Sequence, residues 1–485
     1  MFKDEQRRTV WDTIRQHDLR AFSTHLTADL IREAVQRAGV RFGAGPLNVL
    51  NLTWLALSSA LHWTENFTNI LSLTFKLLED YEASGSQTQK PMPKPRRWSR
   101  GRKPRSRHDP RRDDLTVVSE EAFTKARRLL PVKFWTELIL LLVARIEREH
   151  SRRLCWKGFR LLALDGTVIG LPHWKRLRQH YGAATNGRRA CRTQVRLVML
   201  QFPLARLPYC YAVSPLSTNE IPLAMSLLDH VRRNDLILMD RGFFSYGMFW
   251  AIQQQKAFFA IRLKAGVRLQ TIRSLGRDDQ LVLWKPCDRR KKWRDLPESM
   301  ELRVISYQIP GFRPSAVVTN ATNPQGTSRQ DWVRLTTDRE VGDKLQPGLY
   351  HRRWEIETTF RELKVAQGMK RGLRSRTPGG IEYEIAGHVL LYFLVRWLIL
   401  ETAVQHELDP LRISFVEALR ELDAMQPALL IASPAWARAL LTRLMKRIAS
   451  HLVPLRPGRS YPRPNDGKTK NKGKGRKQVA AKIPA

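Results

Sequence analysis

Apolar residues recur at helical spacing near the start of the chain and again from residue 119 onward. Residues 47–63 and 70–78 repeat their apolar positions without strand-like alternation, which predicts an N-terminal helical domain over residues 1–90. Residues 134–146 are apolar enough to form a largely buried helix. Both patterns predict helices that precede a change of period in the middle of the chain.

After these helices the apolar spacing becomes that of strands. The predicted order is three strands, then a helix, a strand, a helix and a strand. The predicted strands are 159–165, 193–202, 207–213, 236–240 and 258–263, and the predicted helices are 221–231 and 246–255. This order is that of an RNase H-like α/β core, a mixed sheet flanked by helices, and the first part of such a core is predicted over residues 115–265.

A second group of strands interrupts this core. An inserted β subdomain is predicted over residues 266–345, with strands at 280–284, 301–309, 315–319 and 332–336. The core is predicted to be completed over residues 346–405. Its most apolar stretch, 389–400, contains Arg396 and is shorter than the roughly 20 residues that span a bilayer, which favours a buried core helix.

Two polar segments, residues 91–114 and 456–485, are predicted to lack a packed core. The first holds ten Lys or Arg between residues 94 and 112 together with several prolines, and forms either a solvated tether or an arm that follows a nucleic-acid backbone. The second is rich in Pro, Gly and Lys and is predicted to be a disordered basic tail. The helical region between the core and this tail, 406–455, is a candidate dimerisation surface or further core packing.

The chain carries a large excess of positive charge. Lys and Arg number 84 and Asp and Glu number 45, so the formal net charge is +39 and the sequence pI is about 10.9. Such an excess favours a polyanionic partner, because neutralising phosphates releases condensed counterions. A membrane partner would favour a basic amphipathic helix or a lipid anchor instead. The charge therefore predicts binding to nucleic acid and no membrane partner.

The cysteines and the N-terminus indicate a reducing compartment. Cys155, Cys191, Cys210 and Cys287 form no CxxC pair and have no neighbouring His at zinc-like spacing. The first residues carry acids and no apolar stretch follows them, so no secretory signal is predicted. A cytoplasmic protein is expected.

Two aspartates end predicted buried strands. Asp165 follows the apolar run 161–164 and precedes Gly-Thr, and Asp240 follows 236–239 and precedes Arg-Gly-Phe. A single Asp at such a position is usually a cap at a strand-to-loop turn. Two in one predicted sheet favour a metal site, since hard divalent cations take oxygen ligands that rigid elements hold in place.

A third acid is predicted on the helix over residues 348–367. With a step of about 100° per residue, four polar residues fall within an arc of about 60° beside a stripe of core residues: Tyr350, Arg353, Glu357 and Lys364. Two further acids, Glu355 and Glu362, point away from both the arc and the core stripe. Geometry therefore nominates Glu357, with an ordinary amphipathic helix bearing solvated charges as the alternative.

These residues carry a resemblance to a known family. The spacing Tyr, two residues, Arg, three residues, Glu, six residues, Lys resembles the signature of the insertion-sequence-four family of bacterial DDE transposases, and all four positions match. Asp165 in Leu-Asp-Gly-Thr and Asp240 in Met-Asp-Arg-Gly-Phe stand where that family carries its first and second catalytic Asp. The resemblance covers residues 115–405 and implies an RNase H-like domain with a β insertion.

The resemblance also implies a mechanism and partners. Asp165, Asp240 and Glu357 would hold two Mg²⁺ ions about 4 Å apart, with Mn²⁺ as a substitute and Asp165 bridging them. Three further residues would grip phosphates beside the scissile bond: Tyr350, Arg353 and Lys364. The implied reaction nicks the ends of an element and joins them to target DNA. The implied partners are double-stranded DNA, as terminal inverted repeats and target, and a second copy of the chain in a synaptic complex, within the bacterial nucleoid.

An aromatic residue of the insertion is expected to stabilise a displaced base, as a Trp does in relatives. Trp293 is favoured because residues 289–294 are strongly basic, whereas Trp284 and Trp332 fit the cores of predicted strands. Two other functions compete with the transposase hypothesis. One is an RNase H-like nuclease that cuts without joining, and the other is a non-catalytic DNA-binding repressor derived from a transposase.

Overall fold

The computed structural model describes most of the predicted core. The described residues are 20–41, 47–67, 69–71, 119–185, 190–285, 296–309, 313–323, 326–333 and 348–454. Residues 91–114, Trp293 and residues 456–485 lie outside them, so the expectations for the linker, this tryptophan and the tail stay predictions.

Along the chain, the described residues form helices before, between and after a series of strands. The helices are α1 (Ala28–Ala38), α2 (Val49–Leu61), α3 (Glu120–Arg127), α4 (Val132–Leu154), α5 (Lys175–Tyr181), α6 (Glu220–Met225), α7 (Tyr246–Gln254), α8 (Arg329–Trp332), α9 (Trp354–Arg361), α10 (Met369–Gly372), α11 (Pro378–Gln405), α12 (Phe415–Ile431) and α13 (Pro434–Ser450). The strands are β1 (Cys155–Trp156), β2 (Phe159–Gly170), β3 (Ala183–Thr185), β4 (Ala190–Phe202), β5 (Leu207–Pro215), β6 (Asp235–Met239), β7 (Phe258–Arg262), β8 (Gln270–Gly276), β9 (Asp279–Trp284), β10 (Met300–Tyr307) and β11 (Ser315–Thr319).

The first half of the sheet has the predicted RNase H-like order. Strands β2, β4 and β5 form an antiparallel meander. On the other side of β2, strands β6 and β7 run parallel to it, and helices connect them. The spatial order is β5-β4-β2-β6-β7. The predicted fold class, a mixed sheet flanked by helices, is therefore confirmed.

The strands at the centre of this sheet are buried on both faces. All side chains of 161–164 in β2 and 236–239 in β6 are fully buried. Helices cover both faces of the sheet, which is why these strands are continuous apolar runs rather than alternating ones. The two apolar runs end at Asp165 and Asp240. The prediction that Asp165 ends its strand is wrong, because pairing with β4 carries β2 on to Gly170.

The strands of the predicted insertion extend the same sheet. Strand β11 pairs antiparallel with β7, and β10, β9 and β8 follow outward. The predicted strands near 280–284, 301–309 and 315–319 are confirmed, whereas β8 was not predicted because its side chains are almost all exposed and show no apolar alternation. The division of the chain into domains stays a prediction.

The strand predicted at 332–336 is wrong at Trp332, which ends helix α8. Ser328 and Asp331 form a reciprocal capping box there, and the side-chain bonds of this box favour a helical turn over a strand. Trp332 itself is fully buried. Residues 334–340 lie outside the described part of the chain.

Helix α11 forms the centre of the helical layer. It is long and apolar enough to cross a bilayer by length and composition, but its side chains, including Arg396, are buried inside the protein. The prediction of a core helix is confirmed. Helix α2 crosses it so closely that a Cβ at Gly387 would lie 2.6 Å from the Ala56 carbonyl oxygen. Helix α2 therefore packs directly against α11.

Candidate active site

Strand register places the two predicted aspartates side by side. Parallel strands β2 and β6 pair from Arg160 with Asp235 through to Leu164 with Met239. One further step in this register brings Asp165 beside Asp240. Neighbouring strands lie about 4.8 Å apart, and residues opposite one another in parallel strands point to the same face. Both carboxylates therefore project from the same face of the sheet, where β6 ends beside β2.

The third acid is carried by a segment that crosses the sheet next to these two aspartates. Residues Leu349–Arg353 form a 3-10 turn, α9 follows, and Glu362–Ala366 form a π turn. The segment is thus not the uniform α-helix that the angular count assumed. It is attached to the sheet through Tyr350, whose hydroxyl donates to the Met239 carbonyl at 3.0 Å and accepts from the Arg262 amide at 3.2 Å.

Arg353 lies among all three acids. Its guanidinium nitrogens lie 3.6 Å from Asp165 Oδ2, 4.0 Å from Asp240 Oδ1 and 3.0 Å from Glu357 Oε1. The guanidinium also stacks on the Trp354 ring, 4.6 Å from its centroid. The structure therefore brings four of the predicted site residues together around one positive charge.

Burial and charge compete at this cluster. Burial raises the pKa of Asp165 to about 6, against the lowering effects of the Gly166 amide and Arg353 and with the help of Glu357 and Asp240. Burial alone would lower the pKa of Arg353, but Tyr350 and the three carboxylates outweigh it and raise the pKa. The arrangement favours a charged guanidinium while Asp165 titrates unusually close to neutrality.

Lys364 also reaches strand β2 close to Asp165. Its Nζ donates to the Thr167 hydroxyl, two residues beyond Asp165 on β2. Burial lowers its pKa, and the neighbouring Lys370 lowers it further. Tyr350, with its pKa raised by burial to about 12, stays protonated at neutral pH.

A basic cleft of about 1050 Å³ opens beside the acids. Asp165, Glu357 and Lys364 line it. Four further basic residues line its walls: Arg192, Arg361, Lys370 and Arg371. None of these four was predicted from the sequence, since scattered basic residues usually mark a solvated surface. The available signal was the Lys370-Arg371 pair directly after the signature helix.

A second basic pocket, of about 870 Å³, adjoins the site near Asp240. It begins at Arg241, directly after Asp240, and includes Arg262 at the end of β7. Arg262 also donates to the Ser315 hydroxyl at 2.6 Å, which fixes its guanidinium. Basic residues of two pockets therefore lie near the three acids.

The rival acids of the signature segment have other partners. Glu355 pairs with Arg206 at 2.7 Å, and Glu362 pairs with both Arg206 and Arg396. Both point away from Asp165, as the angular count predicted. The expectation that Glu362 also lies away from the core is wrong, because it is buried between β4–β5 and α11. The π turn at this point and the buried Arg396 draw it inward.

Comparison with known proteins assigns the chain to a family. Residues 156–394 match the family model described as a transposase DDE domain. The chain is 31% identical over 315 residues to the transposase InsG for insertion sequence element IS4 of Escherichia coli strain K12, an alignment that covers 64% of this chain and 68% of that protein. The chain belongs to the IS4-like DDE transposases. This transposase is also similar to a solved piggyBac transposase synaptic complex with hairpin DNA, at 12% identity and a TM-score of 0.38 over 94% of this chain and 88% of that one.

DDE transposases typically use divalent metal ions. The donor set fits them, because three carboxylates offer hard oxygen ligands and outnumber the one guanidinium between them. A second group of potential ligands, Glu149, His150 and Glu401, has ligand atoms within 4.8 Å of one another. That group lies near the ends of α4 and α11 and lines neither basic pocket. The carboxylates of Asp165, Asp240 and Glu357 are therefore the better candidate for the metal centre.

Proposed function

We propose that this transposase nicks the ends of an insertion element and joins them to target DNA, with Asp165, Asp240 and Glu357 as its catalytic carboxylates. The observation that carries the proposal is the convergence of these carboxylates on the Arg353 guanidinium. Three acids around one base leave an excess of negative charge beside a basic cleft. Bound divalent cations would neutralise that excess and admit a phosphate.

The three carboxylates would hold two Mg²⁺ ions, for which Mn²⁺ can substitute. When bound, such ions activate an attacking water or 3′-hydroxyl and stabilise the leaving oxygen of an in-line displacement. The chain itself keeps the ligands rigid. Asp165 lies within β2, Asp240 directly follows β6, and Glu357 lies on α9, which Tyr350 attaches to the sheet.

Arg353 and Lys364 are proposed to bind phosphates that flank the scissile bond. The Nε and Nη1 atoms of Arg353 are buried and have no hydrogen-bond partner within the described residues, so the guanidinium retains unused donors, and a phosphate contact would require these atoms to become exposed. Lys364 contacts β2 at Thr167, two residues beyond Asp165. Tyr350 donates its single hydroxyl proton to Met239, so its proposed contribution is to position Arg353, and a phosphate contact would require it to change partner.

Double-stranded DNA is proposed to pass through the basic cleft and the adjoining pocket, with the scissile phosphate over the three acids. The proposed DNA partners are the element's terminal inverted repeats and the target. A homodimer is proposed because two ends must be brought together for joining. The proposed location is the cytoplasm, on the bacterial nucleoid.

Trp293 is proposed to stack on a displaced base, for which the basic character of residues 289–294 is the support. Trp284 packs among Phe244, Tyr246 and Phe249, and Trp332 is fully buried, so both have core roles. Base stacking contributes roughly 1–3 kcal/mol, so Trp293→Ala should slow end cleavage roughly 5-fold to 100-fold. Cleavage and joining at the wild-type rate would remove Trp293 from the site.

A strand-transfer assay with DNA carrying the element's terminal repeats tests the proposed function. In Mg²⁺ the wild-type chain should nick the repeat ends and join the new 3′-hydroxyls to a target duplex, read on a sequencing gel. Nicking without joined product would identify a nuclease. Binding to the repeats without nicking in either Mg²⁺ or Mn²⁺ would identify a repressor.

A further inference from the structure

One wall of the basic cleft rests on a single helical turn. Lys370 and Arg371 line the cleft and belong to α10, which is only four residues long. An isolated turn of this length is unstable, because the first hydrogen-bonded turn of a helix orders several residues for one bond. The position of both basic side chains therefore depends on what packs against this turn.

The packing comes from the N-terminal part of the chain. The indole of Trp63, just beyond α2, covers Gly368, so that a Cβ at Gly368 would lie 2.6 Å from Trp63 Cε3. A Cβ at Gly372, at the other end of the turn, would lie 3.2 Å from the same ring. Gly368 also has a left-handed φ of 68°, which begins the turn. Glycine at 368 thus meets both a backbone and a packing requirement.

A second contact attaches the residue after the turn to the same N-terminal segment. Arg374 donates to the carbonyl oxygens of Glu65 and Ser59, the latter at 3.0 Å. Its guanidinium lies 4.4 Å from the centre of the Phe67 ring, and its amide donates to Glu384 on α11 at 2.9 Å. Residues 59–67 therefore contact the segment on both sides of Lys370 and Arg371.

We propose that Trp63 is a positioning residue for DNA binding, which holds Lys370 and Arg371 at the wall of the cleft. The inference rests on the proposed function in one respect, that DNA phosphates lie in this cleft. It adds that residues 59–67, which are far from the three acids in sequence, support one wall of the basic cleft. Contacts made by DNA with this wall and the packing of the N-terminal segment are then energetically linked.

Salt dependence of DNA binding distinguishes positioning from simple stabilisation. Each phosphate contact contributes about 0.9 to the slope of log K against log salt on duplex DNA. Trp63→Ala should lower that slope by about 2, because two basic side chains leave their phosphates. It should raise the KM for end DNA about tenfold and change kcat less than twofold. Trp63→Phe, which keeps an aromatic ring over Gly368, should restore most of both.

Gly368→Ala provides an independent variant with a matched control. Gly39, which ends α1, has a φ of 71° and nothing within 4 Å of its would-be Cβ. Gly39→Ala thus imposes the same backbone strain without touching Trp63, and should leave slope and KM unchanged. Gly368→Ala should reproduce the Trp63→Ala phenotype. Adding Lys370→Ala and Arg371→Ala to Trp63→Ala should lower the slope no further.

The outcomes separate this inference from the function on which it rests. A folded wild-type chain whose binding to end DNA is insensitive to salt overturns the proposed function and this inference together. A wild type with a steep slope, beside Trp63→Ala and Gly368→Ala variants with the same slope and KM, overturns this inference alone. A fall in slope that adds fully to that of Lys370→Ala and Arg371→Ala also overturns it.

Discussion

One short segment, residues 349–366, takes part in two arginine–carboxylate clusters of opposite character. In the open cluster, Arg353 faces Asp165, Asp240 and Glu357, and the last two carboxylates are 48% and 44% exposed. In the closed cluster, Glu362 pairs with Arg396 and Arg206 and accepts from the Tyr392 hydroxyl at 2.7 Å. There the Arg396 side chain is 0% exposed.

The difference lies in charge balance and access rather than in residue type. The open cluster has three acids for one base and faces a cleft, so it can exchange partners with cations and phosphates. The closed cluster has two arginines, with Glu355 and Glu362 as counter-charges, and both carboxylates are paired with these arginines. A carboxylate in the open cluster can therefore bind metal ions and take part in catalysis, whereas a carboxylate in the closed cluster stabilises the packing of the core.

The most severe test removes a carboxylate charge from the open cluster. Asp165→Asn, Asp240→Asn and Glu357→Gln keep nearly the same volume. Each should slow DNA nicking about 1000-fold or more, because bound cations supply several kcal/mol of transition-state stabilisation and each 1.4 kcal/mol is tenfold. Affinity for DNA ends, measured by gel shift, should hold or rise, since negative charge beside a polyanion is lost.

Glu355→Gln is the control on the same helix. It alters the partly buried pair with Arg206 and should retain most of the nicking activity in Mg²⁺. If Glu357→Gln nicks while Glu355→Gln is inactive, the third ligand is misassigned. If Asp165→Asn and Asp240→Asn both remain active, the metal-dependent mechanism must be abandoned.

The next largest effect is expected when the closed cluster loses its charge. Glu362→Gln leaves Arg396 buried beside a neutral partner and should lower the free energy of unfolding by roughly 3–5 kcal/mol, measured by urea denaturation. Glu417→Gln, which removes an exposed pair with Arg420, should cost less than about 1 kcal/mol. A Glu362→Gln variant as stable as the wild type would erase the distinction between the clusters.

The difference in stability between the wild type and Glu362→Gln should change with pH in one direction. Burial tends to raise the pKa of Glu362, but the charges of Arg396 and Arg206 outweigh it and lower the pKa. The stabilisation by Glu362 is therefore present above its ordinary pKa and is lost as pH falls through its folded pKa. The stability difference between wild type and Glu362→Gln should shrink in acid, measured by urea denaturation across pH 3–7. A difference that grows in acid would contradict this assignment.

A smaller effect is expected when the open cluster loses its guanidinium. Arg353→Gln leaves three carboxylates without their central counter-charge, so Mg²⁺ should bind more tightly in the absence of DNA. A tenfold gain in affinity corresponds to an additional rise in Tm of about 1–2 °C at saturating Mg²⁺ for a chain of this length. Thermal denaturation with and without Mg²⁺ measures it. Equal Mg²⁺ shifts in the variant and the wild type would mean that Arg353 does not compete with the cations.

Local pattern was sufficient to predict the parts of this site. An apolar run that ends in an acid predicted a strand end at both Asp165 and Asp240. This held for Asp240, which directly follows β6, whereas β2 continues past Asp165 to Gly170 because its pairing with β4 does not stop there. Within one helical segment the positions of neighbouring side chains follow from the angular step, so the pairing of Arg353 with Glu357 and the opposite direction of Glu355 were predictable. The order of strands and helices was sufficient for the fold class.

Contacts between elements far apart in the chain were decided by tertiary packing alone. The sequence contains no local sign that Glu362 meets a buried Arg396, since its angular position marks it as a solvated acid. Nor does it indicate that Trp63 lies over Gly368, or that β8 extends the sheet by hydrogen bonding without an apolar face. Periodicity determines which way a side chain points from its own helix or strand. What it meets there depends on which other surfaces are buried against it, and that is a property of the whole packed core.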